Sequence, residues 1–113
     1  LGPVVRVAGL FPVRDGVYKL GGGPANLFGP AGRGVLHAGA FADFVVFDPA
    51  AVTDRATYDQ PHQTCAGIEY VAVNGQIIIE SGQPHHFSGE RWKPASGEPG
   101  RYLRYNASGE RPA

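Results

Sequence analysis

Residues 70–80 read Tyr-Val-Ala-Val-Asn-Gly-Gln-Ile-Ile-Ile-Glu, and this stretch decides the fold class. Two runs of mostly β-branched and aromatic residues flank the pair Asn74-Gly75. A type I′ turn favours Asn-Gly, because both of its central residues need a positive φ. The stretch therefore predicts a β-hairpin with strands at 69–73 and 76–80. Ser81-Gly82 is predicted to end the second strand.

Another strand is predicted upstream of the hairpin. Residues 44–47, Phe-Val-Val-Phe, lie between Asp43 and Asp48. Their unbroken apolarity predicts burial on both faces of the strand. The two carboxylates point to opposite faces, so we interpret them as capping or turn-forming residues rather than a general acid/base pair. Short strands are also predicted around 35–36 and 101–105.

The first 28 residues carry helical patterns. Apolar residues spaced i, i+4, i+7 from Val13 to Leu20 predict one helix face, and Gly21-Gly22-Gly23 is predicted to end that helix. Further helical turns are predicted from Pro24, with Gly29 as the C-cap. The apolar residues at 4–8 fit either a short helix or a strand.

Irregular structure is predicted for much of the remaining chain. Thr53-Asp54 is interpreted as the cap of a helical turn at 55–58. Residues 82–100 are rich in Gly and Pro and are predicted to form an irregular loop. Residues 106–113 are predicted to be a frayed tail.

Composition excludes several classes of protein. The chain has 113 residues with 17 Gly and 10 Pro, about twice the usual combined share of these residues. Ten basic residues cancel ten acidic residues, which argues against a nucleic-acid or membrane-surface binder. The single Cys65 excludes an internal disulfide. Because the sequence has no Met and no secretory pattern, we expect a cytoplasmic piece of a larger protein.

The residue types that carry chemistry do not form a catalytic or metal-binding pattern. The histidines are His37, His62, His85 and His86. Adjacent histidines on an extended chain point to opposite sides, so the 85–86 pair is interpreted as surface residues or, alternatively, as part of an adventitious two-histidine site. Cys65 is interpreted as an inert thiol because it has no clear base as a partner. No catalytic, cofactor-binding or metal-ligating residue is therefore assigned.

Three further motifs have ordinary interpretations. The glycines at 21–23 lack the Lys of a phosphate-binding loop, and Pro24 removes a backbone donor. Asn106-Ala107-Ser108 matches a glycosylation acceptor, which we expect to be unused. Phe87 and Trp92 either form a contact patch or fold back on their own sheet.

Two stretches in order resemble the amidohydrolase superfamily. Residues 34–49 are similar to its C-terminal signature, a Gly-containing turn, an Ala-Asp pair and an apolar strand that ends in Asp. Residues 70–76 resemble its closing hairpin. The segments at 54–58, 61–63 and 67–71 are similar to the group of N-acyl-D-amino-acid deacylases.

The resemblance implies a mainly β fold, a partial β-sandwich with short N-terminal helices. Residues 1–28 would be the terminal helical segment of a TIM-like barrel, residues 29–105 the C-terminal half of a small β-sandwich, and residues 106–113 a tail. The expected partners are the remainder of the parent barrel and the N-terminal sandwich strands. Self-association of the isolated chain is another possible source of cover for its apolar strands.

The implied parent is a zinc-dependent hydrolase of N-acyl-D-amino acids. Its zinc ligands would lie upstream of residue 1, so we expect zinc in the parent, none in this chain, and an inert isolated chain. Two alternatives stay open. The parent is a cyclic amidase or deaminase relative, or the chain is a stand-alone β-rich interaction module whose hairpin edge pairs with a partner.

Overall fold

The computed structural model describes residues 1–84, 87–88, 91–92, 99–101 and 103, with only the backbone at 87–88 and 91–92. Helical elements come first in the chain: a π-helix at Gly2–Val7, α1 at Val13–Leu20 and α2 at Gly22–Phe28. The strands are β1 Phe44–Phe47, β2 Ile68–Val73, β3 Gln76–Glu80, β4 Gln83–Pro84, β5 Phe87–Ser88 and β6 Arg91–Trp92. The described chain is thus mainly β with short helices.

The main sheet has four antiparallel strands in the order β1-β2-β3-β4, and β5 pairs with β6 in a separate ladder. The hairpin predicted around Asn74-Gly75 is confirmed as β2 and β3. Asn74 has φ 49° and Gly75 has φ 80°, as a type I′ turn requires. The turn residues therefore fix the centre of the sheet.

The loop predicted for 82–100 is partly wrong, because regular pairing continues beyond β3. Ser81 has φ 49° and Gly82 has φ 75°, so the chain turns back a second time and Gln83 pairs with Glu80. The sequence does not indicate a left-handed conformation at a serine, because the Cβ of serine disfavours positive φ.

The described chain by itself does not bury β1 on both faces. Val45 is 52% exposed and Val46 is 47% exposed. The described chain supplies no layer that covers both faces of β1, which is an edge strand of the four-stranded sheet. Among the described residues only Val5 and Ala72 are buried hydrophobic residues, so these elements enclose very little core.

The helix predicted over Val13–Leu20 is confirmed, and Gly29 caps α2 in the left-handed conformation with φ 74°. The second helix begins at Gly22 rather than at Pro24. Residues 4–8, open between helix and strand, lie mostly in the π-helix. Gly16 lets α1 approach that π-helix closely, because a Cβ at Gly16 would lie 3.0 Å from Val5 Cγ2.

Two short predicted elements are wrong, and a third is only partly described. Residues 35–36 form no strand, and residues 55–58 form no helical turn. Instead Asp54 Oδ1 accepts a hydrogen bond from the Ala56 amide at 2.9 Å, which closes a side-chain turn that competes with a helix. Of the strand predicted at 101–105, Arg101 and Leu103 are described and lie outside any strand, and the rest lies outside the described residues.

Arg6 joins the helical segment to the chain after β1. Its Nη1 donates to the Pro49 carbonyl at 3.1 Å and to the Val52 carbonyl at 2.8 Å. We expect Arg6→Met, which keeps the apolar stem, to lower the free energy of unfolding by about 1 kcal/mol because two carbonyls lose a charged donor. Urea unfolding followed by circular dichroism measures this. Arg14→Met is the matched control, and equal losses in the two variants would contradict the assigned role.

Candidate functional site

An ion-pair and hydrogen-bond cluster connects the loop before β1 to the hairpin turn. Its members are Arg33, Asp43 and Asn74, and we call it the Arg33 cluster. The Arg33 Nη1 pairs with Asp43 Oδ2, and the Arg33 Nη2 donates to Asn74 Oδ1 at 2.8 Å. The Asn74 backbone amide donates to Asp43 Oδ1 at 2.7 Å. Both carboxylate oxygens of Asp43 are therefore bonded.

The Arg33 cluster is largely removed from solvent. The Arg33 side chain is 12% exposed and that of Asp43 is 30% exposed. The guanidinium lies over the Phe41 ring, 4.1 Å from the ring centroid, as in a cation–π contact. On the far side, Asn74 Nδ2 donates to the carbonyl of the buried Pro99. The cluster thus holds three separate chain segments together.

This arrangement makes Asp43 a structural residue. Its oxygens accept from Arg33 and from Asn74, so neither is directed at an open site for proton transfer or metal binding. The predicted turn-forming role is confirmed for Asp48, whose Oδ1 accepts from the Ala50 amide at 2.8 Å. Asp43 instead bonds Arg33 and the backbone amide of Asn74, which is 31 positions away in the chain. Sequence reasoning missed Arg33, because an arginine between two glycines carries no local signal for a partner ten residues later.

The other candidate residues lie apart from this cluster. His37 and His62 are exposed, and His37 Nδ1 lies 2.8 Å from the Ala38 carbonyl oxygen. Cys65 is an exposed free thiol. Within the described ranges no three His, Cys, Asp or Glu residues come together as a possible metal site. Three residues singled out in the sequence lie outside the described residues: His85, His86 and Asn106.

An open apolar cleft of about 670 Å³ lies between α1 and the main sheet. Its walls come from α1, from the loop at 34–36, and from β1 and β2. Several of the large side chains that line it are exposed, among them Leu20, Leu36 and Val45. Apolar surface of this kind is typical of a face that another chain segment or subunit covers.

The family model described as "Amidohydrolase family" matches residues 2–79. The chain belongs to the amidohydrolase family.

Curated relatives of the chain are deacylases. It is 55% identical over 78 residues to a D-aminoacylase of Alcaligenes xylosoxydans, covering 69% of this chain and 16% of that protein. It is 44% identical over 108 residues to an N-acyl-D-glutamate deacylase of the same organism, covering 96% of this chain and 20% of that protein. The chain thus spans about a fifth or less of the length of these relatives.

Solved structures of the same class share the fold. The N-acyl-D-glutamate deacylase of Bordetella bronchiseptica, complexed with zinc and a phosphonate mimic of the tetrahedral intermediate, matches with a TM-score of 0.76 at 44% identity. That match covers 90% of this chain and 19% of the other. A D-aminoacylase matches with a TM-score of 0.69 at 44% identity, covering 75% of this chain and 18% of the other. Within the described residues, no helix combines the length and apolarity that crossing a bilayer requires.

Proposed function

We propose that this chain is the C-terminal structural segment of a metal-dependent amidohydrolase that hydrolyses N-acyl-D-amino acids, and that it is inert on its own. The observation that carries this proposal is the pair of deacylase relatives, which this chain matches at 44–55% identity over a small part of their length. The geometry agrees, because the best-organised polar cluster braces the fold and has no free reactive group.

We also propose a division of the chain into three parts. Residues 1–28 supply the terminal helical segment of a TIM-like barrel, residues 29–105 supply the C-terminal half of a small β-sandwich, and residues 106–113 supply a tail. The four-stranded sheet supports the middle part of this division, since one layer of a sandwich needs a second layer to bury its apolar face.

The proposed partners of the chain are the remainder of the parent barrel and the N-terminal sandwich strands. The apolar cleft between α1 and the sheet is the surface that supports this proposal, because its lining side chains stay partly in water. An isolated chain would cover the same surface by self-association. Light scattering of the isolated chain measures this self-association. A compact monomer would count against the proposal that the apolar cleft needs a covering partner.

Zinc is proposed in the parent enzyme, with ligands outside this chain. The described residues do not fit a zinc site, since Asp43 is occupied by Arg33 and Asn74, and the described histidines are not grouped. We therefore derive no reaction step from the residues of this chain. The cytoplasmic location stays a prediction.

The experiment is an activity assay with two samples. The purified 113-residue chain, with and without added zinc, is expected to release no amino acid from N-acetyl-D-glutamate or N-acetyl-D-leucine. The longer reading frame that contains it is expected to do so in a zinc-dependent manner. Turnover by the chain alone would overturn the structural role. A longer protein that deaminates a base or opens a cyclic amide would favour the alternative parent.

A further inference from the structure

The hairpin turn contains the one sequence pair that is most prone to a spontaneous backbone reaction. Asparagine followed by glycine deamidates readily, because glycine leaves its own amide nitrogen sterically free to attack. The Gly75 nitrogen attacks Cγ of Asn74, ammonia leaves, and a five-membered succinimide forms. Water then opens the ring at either carbonyl and gives aspartate or isoaspartate. Water is consumed and ammonia is released, with no other reactant.

The structure engages the side-chain amide of Asn74 and the attacking nitrogen in hydrogen bonds. Asn74 Oδ1 accepts from Arg33 Nη2 at 2.8 Å, and Asn74 Nδ2 donates to the Pro99 carbonyl. The attacking nitrogen is also engaged, since the Gly75 amide donates to the Ala42 carbonyl at 3.0 Å. Ring closure requires the side chain to rotate and the amide to lose its proton, so these contacts must first break.

We propose that Asn74 is a latent deamidation site, which the Arg33 cluster and the Pro99 carbonyl keep closed in the folded protein. Opening the cluster starts the reaction. The product then prevents the cluster from closing in the same way, because a carboxylate has no Nδ2 donor for the Pro99 carbonyl. It also places a second negative charge beside Asp43, whose Oδ1 already accepts from the Asn74 backbone amide. Isoaspartate adds a backbone carbon to a two-residue turn and shifts the strand pairing.

The test is the rate of deamidation at Asn74 in the intact protein. The protein is aged at mildly alkaline pH, digested at acidic pH, and the peptide with Asn74 is measured by mass spectrometry. We expect the folded protein to react at least about tenfold more slowly than the same protein in concentrated urea. Asn26, which lies in α2 and precedes the bulky Leu27, is the internal control and should stay unmodified. Equal rates in buffer and in urea would overturn the proposal.

Two variants test the atoms involved. Arg33→Met should raise the folded-state rate severalfold, whereas Arg14→Met, which removes an exposed arginine, should not. Asn74→Asp copies the product and should speed amide exchange at Gly100 and Arg101, because the contact to Pro99 is lost. If Arg33→Met does not fold, the proposal is still tested by the deamidation rates in buffer and in urea and by amide exchange in Asn74→Asp. Unchanged rates in a folded Arg33→Met, or unchanged exchange in Asn74→Asp, would each contradict the proposed protection.

Discussion

Gly67→Ala is expected to destabilise the protein strongly. Gly67 directly precedes β2 and has φ 80°, a conformation that costs an L-residue about 1–2 kcal/mol. An added Cβ would also lie 2.4 Å from the Val52 amide nitrogen and 2.6 Å from the Val52 Cα. Both are backbone atoms that cannot rotate away. We expect the free energy of unfolding to fall by about 3 kcal/mol or more.

The hydrogen bonds around Gly67 explain why its backbone cannot move away from Val52. The Gly67 carbonyl accepts from the Asp48 amide at 2.9 Å, and the neighbouring Ala66 forms a bridge with Thr53. Moving Gly67 away from Val52 would therefore break the pairing that ties the chain after β1 to the start of β2. Urea unfolding measures the loss as a lower midpoint with an unchanged slope.

Gly39→Ala separates the two causes. Gly39 has φ 86°, but a Cβ there would meet no atom within 4 Å. This control should show only the conformational cost of about 1–2 kcal/mol. If Gly67→Ala and Gly39→Ala lose the same amount, the close approach to Val52 contributes nothing and our explanation is wrong.

Asp43→Ala is expected to give the second largest loss, about 3 kcal/mol. The substitution leaves the Arg33 guanidinium, which is largely buried, without its carboxylate, and it leaves the Asn74 amide without an acceptor. A buried group that loses its partner keeps the full cost of its desolvation. The same urea titration measures the change, and loosening should extend to the hairpin turn.

Asp15→Ala is the matched control for the loss of a carboxylate. Asp15 lies 3.6 Å from Arg14 in a pair whose side chains are 47% and 89% exposed. Exposed pairs contribute only about 0.2–1 kcal/mol, so this variant should remain close to the parent protein. The double variant Arg33→Met/Asp43→Leu should recover part of the loss, because it removes both charges together. A loss in Asp43→Ala no larger than in Asp15→Ala would contradict the structural role of the Arg33 cluster.

Local sequence predicted the elements whose geometry depends on a few adjacent residues. The type I′ turn at Asn74-Gly75 follows from the φ preference of two residues, and the helix from Val13 to Leu20 follows from its apolar spacing. The end of β3 at Ser81-Gly82 was predicted, but the return of the chain into β4 was missed, because Ser81 adopts a left-handed conformation that its own residue type disfavours. At Ser81, the pairing of β3 with β4 outweighs the conformational preference of the residue itself.

The sequence by itself determined the hairpin, the strand at Phe44–Phe47, α1 and the turn-forming role of Asp48, since each depends on neighbours within a few positions. Only the tertiary structure decided that Arg33 pairs with Asp43 and reaches Asn74, that Gly67 touches the backbone at 51–52, and that β1 remains half exposed. These features join residues that are far apart in the chain or depend on which surfaces are covered. Contacts of that kind leave no local pattern, because they arise from the path of the whole backbone.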